Sequence, residues 1–374
     1  MTNTWLSASI RRTALKKKHC AESQGRKGAL TVNIVSLRMG HHASASGYDR
    51  LADAIPYGQV IHTPGSLSTQ QRIAGWAGRH WIRDAGLQWY HRENWVVEME
   101  LAGRWLRRRG EIFHYLYGEN SFRYLGALRQ RNSRNRLVAT FHTPPERFRE
   151  VVTEASHLAS LDAAIVMSRV QIPELAKWLP EERIHFVPHG IDADYFSPGL
   201  NPGIENRSGF LCVGRHLRDF GTLRATAALL AEAQPSSTMT VVASKLEVRW
   251  FEDLPNVRVM IGVGDHELRD LYRSAVALVM PLNDATANNT LLEALACGLP
   301  ILTTDLAGTR DYVNDCCACL LPKGDARAFA DAATRVSSNT ELWARMSGAC
   351  LTRAVDLRWQ RVSDQTVDLY KKLL

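Results

Sequence analysis

A chain of 374 residues, 45% hydrophobic and 22% charged, is long enough for two domains with separate cores. The net charge of +8 sits mostly in residues 1–28, where Arg11, Arg12, Lys16, Lys17, Lys18, Arg26 and Lys27 face Glu22 alone; the body is nearly neutral, and charge gives no ground for a nucleic-acid partner. No run approaches the roughly 18 apolar residues of a membrane span, and residues 1–28 lack the apolar core of a secretion signal.

Residues 1–28 read as a disordered basic tail or, more sharply, as a tether to an anionic membrane. Leu30 to Leu37 predicts the first strand of a parallel sheet. A Gly-rich loop from Gly40 to Asp49 follows, and Leu51, Ala54 and Ile55 begin a helix. Such a turn is where a doubly wound domain meets its ligand, so His41, His42, Ser46 and Gly47 are candidates there. The two histidines read equally well as solvated. From Ser66 to Arg109 the chain is rich in Trp (76, 81, 89, 95, 105) and Arg (72, 79, 83, 92, 104, 107, 108, 109). Two accounts fit: amphipathic helices with Trp packed on the sheet, or a surface resting on anionic lipid. The run Arg104 to Arg136, with Glu111 and Glu119 its only acidic residues, favours lipid.

Ile112 to Tyr117, Leu137 to Phe141 and Ala163 to Met167 predict further strands, followed by Gly118-Glu119-Asn120, His142-Thr143 and Ser168. Ile184 to Val187 leads into Pro188-His189-Gly190-Ile191-Asp192, and Tyr195 to Ser208 reads as a linker. Phe210 to Val213, Thr240 to Ala243 and Val257 to Ile261 predict strands, and a helix spans Glu267 to Ala275. Ala277 to Met280 is a strand, Asn283 to Asn289 a polar loop, and Leu291, Leu292, Leu295 and Ala296 the apolar face of a helix closed by Gly298 and Pro300. The first turn of that helix suits a phosphate. Thr290-Leu291-Leu292-Glu293 also fits a capping box, which leaves Glu293 with a structural and a ligand-binding reading. Ile301 to Thr304 is the next strand; Ala326 to Arg353 and Trp359 to Leu374 are helical. Seven scattered cysteines predict reduced thiols in a cytoplasm. Cys316, Cys317 and Cys319 read as small buried residues beside a strand, because no second ligand pair lies near enough in sequence for zinc.

Residues 291–313, Pro188 to Asp192 and Gly214-Arg215-His216-Leu217-Arg218-Asp219-Phe220-Gly221 together resemble the family-4 (group 1) glycosyltransferases of the GT-B fold. The resemblance covers residues 29–374 and departs at two places. Ala285 stands at the first Glu of the family's E-x7-E, and Phe220 at its phosphate-gripping Lys. It implies an α/β fold of two facing doubly wound Rossmann-like domains: 29–197 for the acceptor, 209–355 for the nucleotide sugar, and a terminal helix, 356–374, crossing back. The implied reaction moves a hexosyl group from a nucleotide-diphosphate sugar to a hydroxyl of a glycan or lipid-linked acceptor, with retention and with neither metal nor cofactor. Arg215 would grip the diphosphate, helped by Arg218, and Glu293 would hold the ribose. His142 and Asp284 would orient the sugar. Gly214, Gly262, Asn288, Asn289 and Thr290 would line the donor site. An epimerase-like enzyme and a non-catalytic nucleotide-sugar-binding protein are the rival readings. The location implied is cytoplasmic, with peripheral contact at the inner face of the membrane.

Overall fold

Apolar runs without polar alternation belong in strands covered on both faces, and the fold is built from such strands. The structure is a computed structural model that describes residues 30–37 and 45–374. Two parallel sheets of six strands each form its frame. The first comprises β1 (Thr31–Ser36), β2 (Gly58–His62), β3 (Glu111–Tyr115), β4 (Arg136–Phe141), β5 (Ala163–Val166) and β6 (Ile184–Phe186), in spatial order 2-1-3-4-5-6. The second comprises β7 (Phe210–Val213), β8 (Met239–Val242), β9 (Val257–Met260), β10 (Ala277–Met280), β11 (Ile301–Thr304) and β12 (Ala318–Leu321), in order 12-11-10-7-8-9. The central strands β5, β7, β10 and β11 are buried along their whole length.

Both orders are doubly wound, and each reverses direction at one point: between β1 and β3 in the first sheet, between β7 and β10 in the second. Crossover helices leave toward opposite faces there, so the loops part and open a crevice. The terminal helix Trp359–Leu373 packs on the first sheet, with Tyr370 OH 2.5 Å from His114 Nδ1 on β3 and the Leu373 carbonyl accepting from Arg136 Nε at 2.6 Å. The approach to that helix passes Gly190, where any Cβ would lie 2.3 Å from the Trp359 ring.

Several elements differ from the sequence expectation. Strands β2 and β12 are short edge strands with half-exposed residues, so they lack the buried signature. An unforeseen helix, Phe220–Ala233, begins at Asp219, whose carboxylate caps Thr222 N–H. The helical stretch after Ala326 is two helices, broken where Asn339 caps the second through Leu342 N–H at 2.8 Å. Of the three clustered cysteines Cys317 is buried, Cys319 is half-buried and Cys316 is exposed, which corrects the expectation for Cys316.

The Trp-rich segment is only partly core. Trp105 is fully buried and donates to the Leu128 carbonyl, whereas Trp76 and Trp81 are 62% and 57% exposed. The basic run is partly absorbed by the fold: Arg104 pairs with Glu111, and Arg129 with Asp162. Among the described residues no helix is long and apolar enough to cross a membrane.

Candidate active site

The crevice is a cleft of about 930 Å³ walled by the loops that leave both switch points. On the second-sheet side the loop after β7 is tightly wound. Gly214 has φ +83°, and Leu217, with φ +58°, is the non-glycine residue in the left-handed region among the described residues. Such strain persists only where neighbours enforce it; here the Leu217 carbonyl accepts from Asn283 N–H at 2.9 Å, and the Pro281 carbonyl from Asp219 N–H at 3.0 Å. His216 and Leu217 thereby reach the cleft wall.

Arg218 is buried. Its guanidinium donates to the carbonyls of Val213 and His216, to Thr290 Oγ1 at 3.0 Å and to Asn288 Oδ1 at 3.4 Å. All these partners are neutral, and among the described residues no carboxylate pairs with it. A buried positive charge without a direct carboxylate contact thus lies behind the N-terminus of helix Asn289–Ala296, with Glu293 acting on it only at longer range. That terminus is capped by Asn288, whose Oδ1 accepts Thr290 N–H, and Asn288 and Asn289 line the cleft. The helix end and the guanidinium add their fields at one place.

Other expected donor residues fall elsewhere. Arg215 is exposed and outside the cleft lining, as is Gly262, which has φ +67° at the end of the edge strand β9. Phe220, at the family's Lys position, is turned into the core against Trp250 and Phe251. Ala285 lines the cleft with only a methyl group.

Glu293 occupies the second turn of its helix, so the Thr290 capping box does not form; Asn288 is the cap instead. The carboxyl is buried and both oxygens are engaged. Ser46 Oγ donates to Oε1 at 2.5 Å and Tyr272 OH to Oε2 at 2.7 Å. Burial pushes this carboxyl up to about 7, with the two hydroxyls and the Arg218 charge pulling the other way. Ser46 comes from the loop after β1, so Glu293 joins the two halves of the cleft. Gly47 follows with φ +104°, while His41 and His42 lie outside the described residues.

The opposite wall is built on β3 and β4. His142 Nε2 donates to the Leu116 carbonyl at 2.7 Å, which places the ring proton on Nε2 and leaves Nδ1 as an acceptor. Its ring stacks on Tyr117, with centroids 4.5 Å apart, and burial lowers its pKa, keeping it neutral. The His142 carbonyl accepts from Thr286 Oγ1 at 2.7 Å, a second link between the halves. Asp284 lines the cleft and caps Ala285 N–H; partial burial raises its pKa. Glu119, Tyr272 and Leu217 were not singled out from sequence. Only Glu119 carried a signal, a carboxylate directly after a buried strand.

Residues 207–339 match a family model described as glycosyl transferases group 1. The chain is 26% identical over 271 residues to the D-inositol 3-phosphate glycosyltransferase of Saccharomonospora viridis, covering 64% of this chain and 62% of that protein. Against the protein of the same name from Streptomyces griseus it is 31% identical over 119 residues, 32% of this chain and 25% of the other. The chain therefore spans less than two thirds of the length of these relatives. Among solved structures, sucrose-phosphate synthase from Thermosynechococcus elongatus superposes with a TM-score of 0.66 at 16% identity, covering 92% of this chain and 99% of that one. Anabaena HepE in complex with UDP-glucose gives 0.66 at 11% identity, with 92% and 100% covered. These likenesses, with the two sheet orders, establish the GT-B fold.

Proposed function

We propose that the chain is a glycosyltransferase that moves a glycosyl group from a nucleotide-diphosphate sugar to an acceptor hydroxyl in the cleft. One observation carries this: a buried guanidinium without a carboxylate partner, touching the N-terminal turn of a helix that opens into the cleft. Such a site asks for an anion, and the diphosphate of a sugar donor supplies one whose charge grows as the glycosidic bond breaks. Asn288, Asn289 and Thr290 then meet the diphosphate, with Arg218 behind them and Gly214 allowing close approach. Arg215, exposed at the same loop, reaches the outer phosphate only by swinging inward. For a ribose to use Glu293, its hydroxyls take over the bonds now made by Ser46 and Tyr272. His142, neutral with Nδ1 as acceptor, and Asp284 orient the sugar. The family match, which falls on this half of the chain, supports the same reading.

UDP-glucose, the ligand of one structural neighbour, is the first donor to test, followed by a panel of other nucleotide sugars. Calorimetry should show UDP or another nucleoside diphosphate bound, and Arg218→Met should weaken it by about tenfold or more, the scale of one charged hydrogen-bonding partner. Failure to bind any nucleoside diphosphate, together with no turnover of any nucleotide sugar, refutes the reading.

A lipid-linked acceptor is the reading of the outer surface. Ile73, Trp76 and Trp81 are exposed on helices Thr69–Ala77 and Arg79–Arg83, among exposed Arg72, Arg79 and Arg83. Apolar rings flanked by guanidinium groups suit the headgroup layer of an anionic bilayer. Co-sedimentation with anionic vesicles, lost in Trp76→Ser/Trp81→Ser, is the expected result; equal binding by that variant refutes it.

A further inference from the structure

The carboxylate of Glu119 is only half used by the fold. Oε1 accepts the His142 N–H at 2.7 Å, the Thr143 N–H at 2.9 Å and the Thr143 hydroxyl at 3.0 Å, which pins the chain as it leaves β4. Oε2 is shut off from solvent and has no hydrogen-bond partner among the described residues. The residue is 2% exposed, yet it lines the cleft beside Tyr117, Asn120 and His142. An ionised carboxylate is an acceptor at both oxygens, and leaving one buried without a donor is unfavourable. Pinning the β4 exit uses Oε1 alone, and among the described residues nothing uses the second acceptor.

We propose that Glu119 is a specificity-determining residue for the acceptor, its carboxylate turning Oε2 from its buried position toward the cleft to receive a hydroxyl of a sugar or other polyol. The inference rests on the glycosyl-transfer reading and adds the acceptor's chemical class. Position argues for acceptor rather than donor: Glu119 belongs to the first-sheet wall, across the cleft from Arg218 and the helix N-terminus. Trp89, exposed and lining the same cleft, offers an apolar ring to the C–H side of a pyranose or cyclitol. The same carboxylate holds the His142 backbone, so an acceptor hydroxyl on Oε2 is placed relative to the His142 ring.

The test is Glu119→Gln. Three donors converge on Oε1, so the amide oxygen takes that position and the NH2 falls where Oε2 was; the fold is kept and an acceptor becomes a donor. Nucleotide release is measured from UDP-glucose, UDP-N-acetylglucosamine and GDP-mannose, in water and with glucose, sucrose or myo-inositol as acceptor probe. The parent should be stimulated by at least one probe. In the variant the KM for that probe should rise about tenfold or more, with nucleotide affinity within about twofold and the melting temperature not lowered. An unchanged probe KM overturns the proposal. So does a parent that hydrolyses a donor but is stimulated by none of the probes, or a variant whose hydrolysis and melting temperature fall together. A parent that neither binds nucleotide nor releases it overturns the glycosyl-transfer reading itself.

Discussion

Replacing Glu293 with Gln reads the electrostatics of the cleft floor. Burial pushes the Glu293 carboxyl from its ordinary 4.5 up to about 7. Between those values the folded chain binds the proton and the unfolded chain does not. The group's contribution is therefore most favourable at acid pH, declines as pH rises through the window, and is least favourable above about 7. At about 1.36 kcal/mol per tenfold difference in proton affinity, the gap corresponds to roughly 3 kcal/mol of destabilisation at alkaline pH. Gln resembles the protonated acid: one acceptor, one donor group, no charge. The Ser46 and Tyr272 hydroxyls can rotate to suit it. Parent and variant should be equally stable near pH 4, and the variant more stable by about 3 kcal/mol near pH 8. Urea unfolding of both proteins at several pH values measures this, and their difference cancels every other titrating group. A difference that stays constant within about 0.5 kcal/mol from pH 5 to 8 refutes the account of Glu293 as a carboxyl strained by burial.

Asn288→Ala removes the cap of the cleft helix and should lower stability by about 1 kcal/mol, read from the melting temperature, while weakening nucleotide binding at the same helix end. His114, lowered to about 3 by burial between Tyr370 and Thr140, stays neutral in the fold while the unfolded chain protonates near 6.5. Its contribution is full above 6.5 and is lost as pH falls. Relative to His114→Asn the parent should lose about 1.4 kcal/mol per pH unit on acidification, and parallel pH profiles would refute this. Gly190→Ala drives a methyl into the Trp359 ring and should cost about 1–3 kcal/mol, much of it recovered in Gly190→Ala/Trp359→Leu; additive losses would show that the ring contact is not the cause.

Local chemistry made the frame legible in the sequence. Leu137 to Phe141, Ala163 to Met167 and Ala277 to Met280 are apolar runs too short for helices, and the Gly298–Pro300 stop after a helical pattern admits one strand–loop–helix–strand reading. Such units imply parallel strands with crossover helices covering both faces, while the doubly wound class rests on the family resemblance. Edge strands such as β2 and β12 are half exposed and escaped detection because burial is what writes the signal.

What a side chain does depends on where its backbone points and on groups far away in sequence, and only the tertiary structure decided that. Arg215 matches the phosphate motif yet is exposed, while Arg218 is folded inward because Gly214 and the left-handed Leu217 turn the loop over. Glu293 meets Ser46 across 247 positions, a separation over which no periodicity carries information. The Trp-rich segment has one composition and two fates, since Trp105 lies under the sheet and Trp76 does not. Spacing along the chain determines which elements form; closure of the two halves over one cleft determines which charges are buried there, and burial is what gives Arg218, Glu293 and Glu119 their chemistry.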